Sequence, residues 1–205
     1  MATPDSKRTP FIGLTGGVAA GKSRALEILE RLGAATLSSD AIVHELLATE
    51  RVRDLLVARW GADVAPGGAV DRGRVAAIVF DDPGELAWLE RTLHPLVRER
   101  IEAWRELLPE DARLAVVEVP LLFETGLDSA FDATISVVAP DAERAERAGA
   151  RGTSDLAGRA ARQLSQEEKA ARATHVVDNA DDLEALAGRL ERLVAELEAG
   201  PPDGR

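Results

Sequence analysis

Cysteine and tyrosine are both absent from this 205-residue sequence, and aromatic residues make up only 3% of it. Without cysteine the chain has no disulfide framework, no thiolate metal ligand and no cysteine nucleophile. No apolar run approaches the roughly 20 residues that span a bilayer. The polar segment 1–10 also lacks the apolar stretch of a signal peptide. These features predict a cytoplasmic protein without a membrane partner.

Lysine is scarce and negative charge is in excess. Lysine occurs only at positions 7, 22 and 169, and 36 acidic residues against 25 basic ones give a net charge of −11. This charge would repel a phosphate backbone outside any local basic patch, so we expect no nucleic-acid partner. The length suits one α/β domain with an inserted or appended cap. Hydrophobic residues, at 45%, are sufficient for a sizeable core.

A glycine-rich segment lies between an apolar run and an amphipathic helix pattern. From Gly16 to Ser23 it reads G-x-x-x-x-G-K-S, with the predicted strand Phe11–Thr15 before it. Pattern and context together predict a phosphate-binding loop for a nucleoside triphosphate. Lys22 can follow the β- and γ-phosphates, and the Ser23 hydroxyl can bind Mg²⁺. The loop residues expected to bind ATP are Gly17, Val18, Ala19, Ala20, Gly21, Lys22, Ser23 and Arg24.

Asp40 follows a second short predicted strand, Ala34–Ser39, and precedes the predicted helix Ala41–Ala48. In an open α/β sheet, ligands lie outside the carboxyl ends of the strands. An aspartate at this edge could accept a proton from an attacking hydroxyl. An aspartate before a helix is also a favoured N-cap, and the spacing alone leaves both roles open.

Residues 50–108 contain helical patterns and no strand pattern, which predicts a helical domain set between two strands. Pro95 is expected to separate a helix over Gly84–Thr92 from one over Leu96–Leu108. His94 and Arg98 beside this break form a plausible clamp for a phosphate group on the acceptor. A lone histidine is more often structural.

Two further strands, Leu114–Val119 and Phe131–Val138, precede a helix that is rich in arginine. Glu118 on the first of them needs a partner, either metal-bound water, a cationic side chain or an arginine of the helical domain. On the helix, Arg144, Arg147 and Arg151 share one face. This face is typical of a lid that closes over a triphosphate; the alternative is a solvated surface paired with Glu143 and Glu146. A last strand, Thr174–Asp178, and a helix, Asp182–Ala199, complete an α/β chain with a parallel sheet.

Several motifs occur in a specific order: the loop at 13–23, Ser39-Asp40, Val70-Asp-Arg72, His94-Pro-Leu-Val-Arg98, Glu118-Val-Pro-Leu-Leu-Phe-Glu124 and Val176-Val-Asp-Asn179. From Phe11 to Leu197 the chain resembles the dephospho-coenzyme A kinase family. The resemblance implies a P-loop three-layer α/β/α fold with an inserted helical substrate-binding domain and a helical lid. It implies a nucleotide-binding core at 11–48, 113–139 and 173–199, a helical CoA-substrate domain at 49–112, a lid at 140–172, and disordered termini at 1–10 and 200–205.

The resemblance also implies the reaction, which is ATP-dependent phosphorylation of the ribose 3′-hydroxyl of dephospho-CoA. It favours Asp40 as the base, with Lys22 and Arg147 as the other catalytic residues, and it implies that Arg147, Arg151 and Asn179 bind ATP. The residues implied for the acceptor are Thr15, Asp40, His94, Arg98, Glu118, Leu121 and Phe123, and Ser23 is implied for Mg²⁺. We expect a monomer or a weak homo-oligomer. The alternatives are a kinase for another small acceptor, such as a nucleoside monophosphate or shikimate, and a nucleotide-dependent switch.

Overall fold

The computed structural model describes residues 8–150 and 163–200. The chain divides into two compact units. One unit, here called the sheet unit, is formed by the residues up to Leu37 and those from Leu108 onward. The other, here called the helical unit, is Ser38–Leu107, which places Asp40 in the helical unit.

Five strands form one sheet in the order β2-β3-β1-β4-β5. Strand β1 pairs in parallel with β3 on one side and with β4 on the other, and β4 pairs in parallel with β5. The central strand β1 leads directly into the glycine-rich loop. The strands are β1 (Phe11–Gly16), β2 (Ala35–Ser38), β3 (Ala115–Glu118), β4 (Ala133–Val138) and β5 (His175–Asp178).

Eight helices lie within the described residues, together with short 3₁₀ turns at Ala62–Val64, Pro66–Gly68 and Leu127–Ala130. None of these helices is long and apolar enough to cross a membrane. The helices are α1 (Lys22–Arg31), α2 (Ser39–Leu47), α3 (Glu50–Trp60), α4 (Arg72–Asp81), α5 (Pro83–Glu106), α6 (Asp141–Ala150), α7 (Gln166–Arg172) and α8 (Leu183–Ala199).

The two faces of the sheet have different coverings, because side chains alternate along a strand. Ile12 and Leu14 join the main hydrophobic core with α1 and α8. On the alternate positions, a Cβ added to Gly13 would lie 3.0 Å from the Phe131 ring and 3.1 Å from Leu122. Helix α7 packs against β1 and β4. A parallel sheet with flanking helices confirms the predicted three-layer α/β class.

Helix α7 was not predicted from the sequence, although its start carries a recognisable signal. The Ser165 side chain accepts a hydrogen bond from the Glu168 backbone N–H, and the Glu168 carboxylate accepts one from the Ser165 N–H. This is a capping box, S-x-x-E. Recognising it would have placed a helix here.

The helical unit corrects one prediction, because Pro95 does not break the chain into two helices. Helix α5 runs without interruption through Pro95. Proline removes one backbone donor and crowds the preceding turn. Here Leu93, Leu96, Val97 and Ile101 are buried along the same helix, so burial on both sides of Pro95 offsets the lost hydrogen bond.

Five of the described helices begin with a side chain that accepts a hydrogen bond from the first turn: α3, α4, α5, α7 and α8. Their N-cap residues are Thr49, Asp71, Asp82, Ser165 and Asp182. Helices α1 and α2 have no side-chain cap within the described residues. These two helices begin next to the loop at 16–23 and at Asp40, respectively.

Candidate active site

The glycine-rich loop has a backbone that only glycine can adopt at two of its positions. Gly16 has φ of 151° and Gly21 has φ of 99°, values that side chains rarely allow. A Cβ on Gly16 would lie 2.4 Å from the backbone oxygen of Val137, and one on Gly21 would lie 2.1 Å from Asn179 Nδ2. Neighbouring atoms therefore occupy the space that any larger residue would need.

Side-chain hydrogen bonds to backbone carbonyl oxygens hold the loop in this shape. Lys22 Nζ donates to the carbonyl oxygens of Gly16 and Gly17, at 3.1 and 2.9 Å. The buried Asn179 donates from Nδ2 to the Ala20 oxygen at 2.8 Å. Asn179 was predicted to bind ATP; in the structure it ties the turn after β5 to the loop.

Helix α1 begins at the loop, and no side-chain capping hydrogen bond is made at its N-cap position. The N-cap position is Gly21, which has no side-chain acceptor to offer. Uncapped N–H groups and the positive end of the helix dipole make such a terminus a site for anions. Ser23 is exposed in this first turn, where its hydroxyl is accessible to a metal ion.

Two arginines of α6 reach the loop. Arg144 donates from Nε to the Val18 oxygen at 3.1 Å and from Nη1 to Asp141. Arg147 donates from Nη2 to Glu143 at 2.6 Å. Glu143 is one of the two local partners expected if these arginines formed a solvated surface. Arg147 Nη1 is buried, has no hydrogen-bond partner among the described residues, and lies 3.9 Å from where a Gly21 Cβ would be.

An unsatisfied buried guanidinium nitrogen is costly, so the position of Arg147 Nη1 fits an anionic group on the loop. Arg151, the other predicted lid arginine, lies outside the described residues, as do Gly152–Arg162. Arg24, predicted to bind ATP, pairs with Glu27 at 3.3 Å on the exposed surface of α1.

The segment after β3 contains a buried ion pair that the sequence did not reveal. Lys169 of α7 is fully buried, and its Nζ lies 3.1 Å from Glu124 Oε1 and donates to the Pro120 oxygen. Burial lowers the pKa of the Lys169 ammonium below its ordinary value, and the hydrogen bond and charge of Glu124 oppose this effect. Predicting the pair would have required knowing that α7 lies against this segment.

The predicted acceptor residues of the sheet unit surround this segment. Thr15 is fully buried and its hydroxyl lies 3.4 Å from the Pro120 oxygen. Glu118 ends β3 and is half-buried, and Leu121 is half-buried as well. Phe123 is only 8% exposed, so it offers little of its ring to a ligand.

Asp40 is exposed in the first turn of α2. Ser38 occupies the N-cap position, so the alternative that Asp40 caps this helix is wrong. His44 lies four residues further on, which puts it on the same face of the helix as Asp40. The Arg72 guanidinium lies 3.3 Å from both ring nitrogens of His44. Arg72 belongs to a motif for which the sequence had suggested no role.

His94 and Arg98 lie one turn apart on α5 and line a surface cleft of about 460 Å³. Arg91, Pro95, Glu99 and Glu102 line the same cleft. The cleft therefore has three basic side chains along one face of the helix.

No cluster of three or more histidine or acidic side chains suited to a metal ion occurs within residues 8–150 and 163–200.

Comparison with known proteins shows the family of this chain. The sequence profile of the dephospho-CoA kinase family matches residues 10–185. The dephospho-CoA kinase of Deinococcus radiodurans is 42% identical over 91% of this chain and 92% of its own length. That of Anaeromyxobacter dehalogenans is 41% identical over 92% of each chain.

A solved structure also matches. A crystal structure from Thermus thermophilus superposes with a TM-score of 0.80 at 36% identity, covering 93% of this chain and 99% of that one. Each of these matches, to the family profile, to the two relatives and to the solved structure, covers most of the chain. This chain therefore belongs to the dephospho-CoA kinase family.

Proposed function

We propose that this chain transfers the γ-phosphoryl group of ATP to the ribose 3′-hydroxyl of dephospho-CoA, which gives coenzyme A. The observation that carries the proposal is the loop at 16–23 with the uncapped start of α1 behind it. Membership of the family supports dephospho-CoA as the acceptor, and the loop supports ATP as the donor.

The sheet unit supplies the ATP site. The backbone N–H groups of 17–22 bind the phosphates, and Lys22 moves from the loop carbonyl oxygens to the β- and γ-phosphates. Arg147 donates its free Nη1 to the same charge, which spreads as the phosphoryl group leaves. Arg151 is expected to add a second guanidinium.

Magnesium belongs to this site as the charge partner of the phosphates. Kinase sites hold Mg²⁺ through few protein ligands and through substrate phosphates. The exposed hydroxyl of Ser23 in the first turn of α1 is the group that would hold it here. The ion supplies positive charge next to the transferring group.

The acceptor residues are proposed from membership of the family. Asp40 accepts the proton of the ribose 3′-hydroxyl. The hydroxyl oxygen forms a bond to the γ-phosphorus of ATP, while the bond from that phosphorus to the bridging oxygen breaks and ADP leaves. His94 and Arg98 bind a phosphate of the acceptor. Thr15, Glu118, Leu121 and Phe123 are the further residues proposed for the acceptor. Arg72, beside His44, is another cation of the helical unit.

A coupled assay of ADP release tests the substrate. We expect ADP to be released from ATP when dephospho-CoA is present, and not when a nucleoside monophosphate or shikimate replaces it at the same concentration. A chain that releases ADP equally with any of these acceptors, or with none, contradicts the proposal. The last outcome would favour a nucleotide-dependent switch.

Asp40→Asn tests the base. It should lower kcat by about 10²–10⁴-fold because a positioned general base contributes that much. ATP affinity, measured by calorimetry, should stay the same. Glu45→Gln, an exposed neutral substitution on the same helix, is the matched control and should keep wild-type kinetics. An Asp40→Asn variant within a few-fold of wild type would exclude Asp40 as the base.

We propose that the protein acts in the cytoplasm. The chain has no cysteine and therefore no disulfide that would need an oxidising compartment. The net charge of −11 supports the absence of a nucleic-acid partner. We also propose a monomer or a weak homo-oligomer, which sedimentation would test.

A further inference from the structure

We propose that Lys169 is a positioning residue for the acceptor, because its ammonium group fixes the Pro120 carbonyl and the segment Pro120–Glu124. This inference rests on the proposed function, in which Leu121 and Phe123 of that segment belong to the acceptor site. Lys169 lies on α7 and contacts no residue proposed to react.

The first support is the cost of this lysine. Lys169 has no exposed surface, and a buried ammonium must be compensated by close partners. A methionine of similar length would fill the same space without that cost. The chain has only three lysines, and two of them, Lys22 and Lys169, make hydrogen bonds to backbone carbonyl oxygens at this end of the sheet.

The second support is what the ammonium joins. Lys169 Nζ donates to the Pro120 oxygen, which also lies 3.4 Å from the Thr15 hydroxyl. Glu124 Oε1 lies 3.1 Å from Nζ and accepts the backbone N–H of Leu164 at 2.8 Å. The pair therefore connects β1, the segment after β3 and the C-terminal part of the predicted lid.

The third support is that α7 is also anchored at its first residue, Gln166. Gln166 accepts the Ala139 N–H at 2.8 Å and donates to the Ala139 oxygen at 3.1 Å. With its start fixed after β4, α7 holds Lys169 in a defined place. Pro120 is then positioned by a rigid helix, and its own segment need not provide that rigidity.

The test separates stability from positioning with three variants: Lys169→Met, Glu124→Gln and the double variant. Each single variant leaves one buried partner uncompensated, and the double variant removes both charges, so it should recover most of the lost stability in urea unfolding. It cannot restore the hydrogen bond to Pro120. We therefore expect the double variant to be stable and to keep a KM for dephospho-CoA raised about tenfold, with ATP affinity within about threefold of wild type.

The matched control is another ion pair of the sheet unit. Arg113 binds Glu198 through Nε at 2.7 Å and Nη2 at 2.5 Å, and it precedes β3 at the amino end of the sheet. The Arg113→Met and Glu198→Gln double variant should leave both KM values unchanged, because the proposed site is at the carboxyl ends of the strands.

The outcomes distinguish a positioning role of the Lys169–Glu124 pair from a purely structural one. A stable double variant with wild-type KM for dephospho-CoA would make the pair merely structural and overturn the inference. If the double variant does not fold, Glu124→Gln decides: it keeps the hydrogen bond to Pro120, so its KM should rise less than that of Lys169→Met, and an equal rise overturns the inference. If the wild-type chain lacks dephospho-CoA-dependent ADP release, the proposed function fails, and the inference with it.

Discussion

Glycines with positive φ occur in two regions of this chain, and their surroundings differ. In the phosphate-binding loop, an added Cβ would meet Val137 at Gly16 and Asn179 at Gly21. In the turns of the helical unit, Gly61, Gly67 and Gly68 also have positive φ, yet nothing lies within 4 Å of an added Cβ. The same backbone requirement thus has two causes: close packing around a binding loop, and simple chain reversal at an open surface.

The helix starts differ in the same way. Side chains cap α3, α4 and α5 of the helical unit, and each accepts a hydrogen bond from at least one first-turn N–H group. The N-cap residue of α1, Gly21, makes no side-chain capping hydrogen bond. A capped start stabilises the fold, and an uncapped start keeps its binding capacity for a ligand.

The largest expected effect comes from Gly16→Ala. Its Cβ would meet a backbone oxygen that cannot rotate away, in addition to the cost of a φ of 151°, so we expect a loss of about 3 kcal/mol or more in unfolding free energy. We also expect loss of ATP binding. Urea unfolding and calorimetry with ATP measure the two effects.

The control for this prediction is Gly67→Ala. It also has a positive φ, of 68°, and no atom lies within 4 Å of an added Cβ, so we expect a loss of about 1–2 kcal/mol and unchanged ATP affinity. Equal losses in the two variants would show that the close packing around the loop contributes nothing, and the comparison between the two regions would fail.

A smaller effect is expected at the start of α5. The Asp82 carboxylate accepts hydrogen bonds from Gly84 N at 2.7 Å and Glu85 N at 3.3 Å. Asp82→Ala should cost about 1 kcal/mol of stability and leave ATP affinity unchanged. Asp82→Ser keeps a capping oxygen and should lose less. A change in ATP affinity would contradict the assignment of this cap to stability alone.

The smallest expected effect depends on pH. The hydrogen bond from Arg59, followed by that from Trp60, lowers the pKa of Glu85. Its contribution is therefore present above the ordinary glutamate pKa and is lost as the pH falls through the lowered value. Glu85→Gln should reduce stability at neutral pH and approach wild type as the pH falls.

Unfolding in urea at a series of pH values, down to about pH 3, follows this effect. Glu102→Gln on the same helix is the control, since it removes an exposed glutamate that lacks these two partners. A constant difference between Glu85→Gln and wild type at all pH values would mean that the charge of Glu85 does not stabilise the helical unit.

The sequence predicted the elements that depend on local pattern. The loop at 16–23, the strand before it and the helix after it follow from a short motif, because glycine, lysine and serine each have a local reason for their place. The last helix, predicted over Asp182–Ala199, is α8 (Leu183–Ala199). The break at Pro95 was a local inference that burial of the neighbouring leucines overruled.

Contacts between distant segments could not be predicted in this way. Asn179 reaches Ala20 across 159 positions of sequence, and Lys169 meets Glu124 only because α7 packs against the sheet. The Arg72–His44 contact needs α2 and α4 to lie together. No periodicity or spacing in the sequence encodes which of these side chains become neighbours.

By itself, then, the sequence determined that a glycine-rich turn follows the first strand, that a cationic lysine and a hydroxyl begin the next helix, and that the ordered motifs resemble one kinase family. Only the tertiary structure decided which atoms surround that turn: the Val137 oxygen and the Asn179 amide that require glycine, the two arginines of α6, and the buried pair behind the segment after β3. The physical reason is that local backbone preferences depend on neighbouring residues in the chain. Steric exclusion and the compensation of buried charge depend on the three-dimensional packing of residues far apart in the sequence.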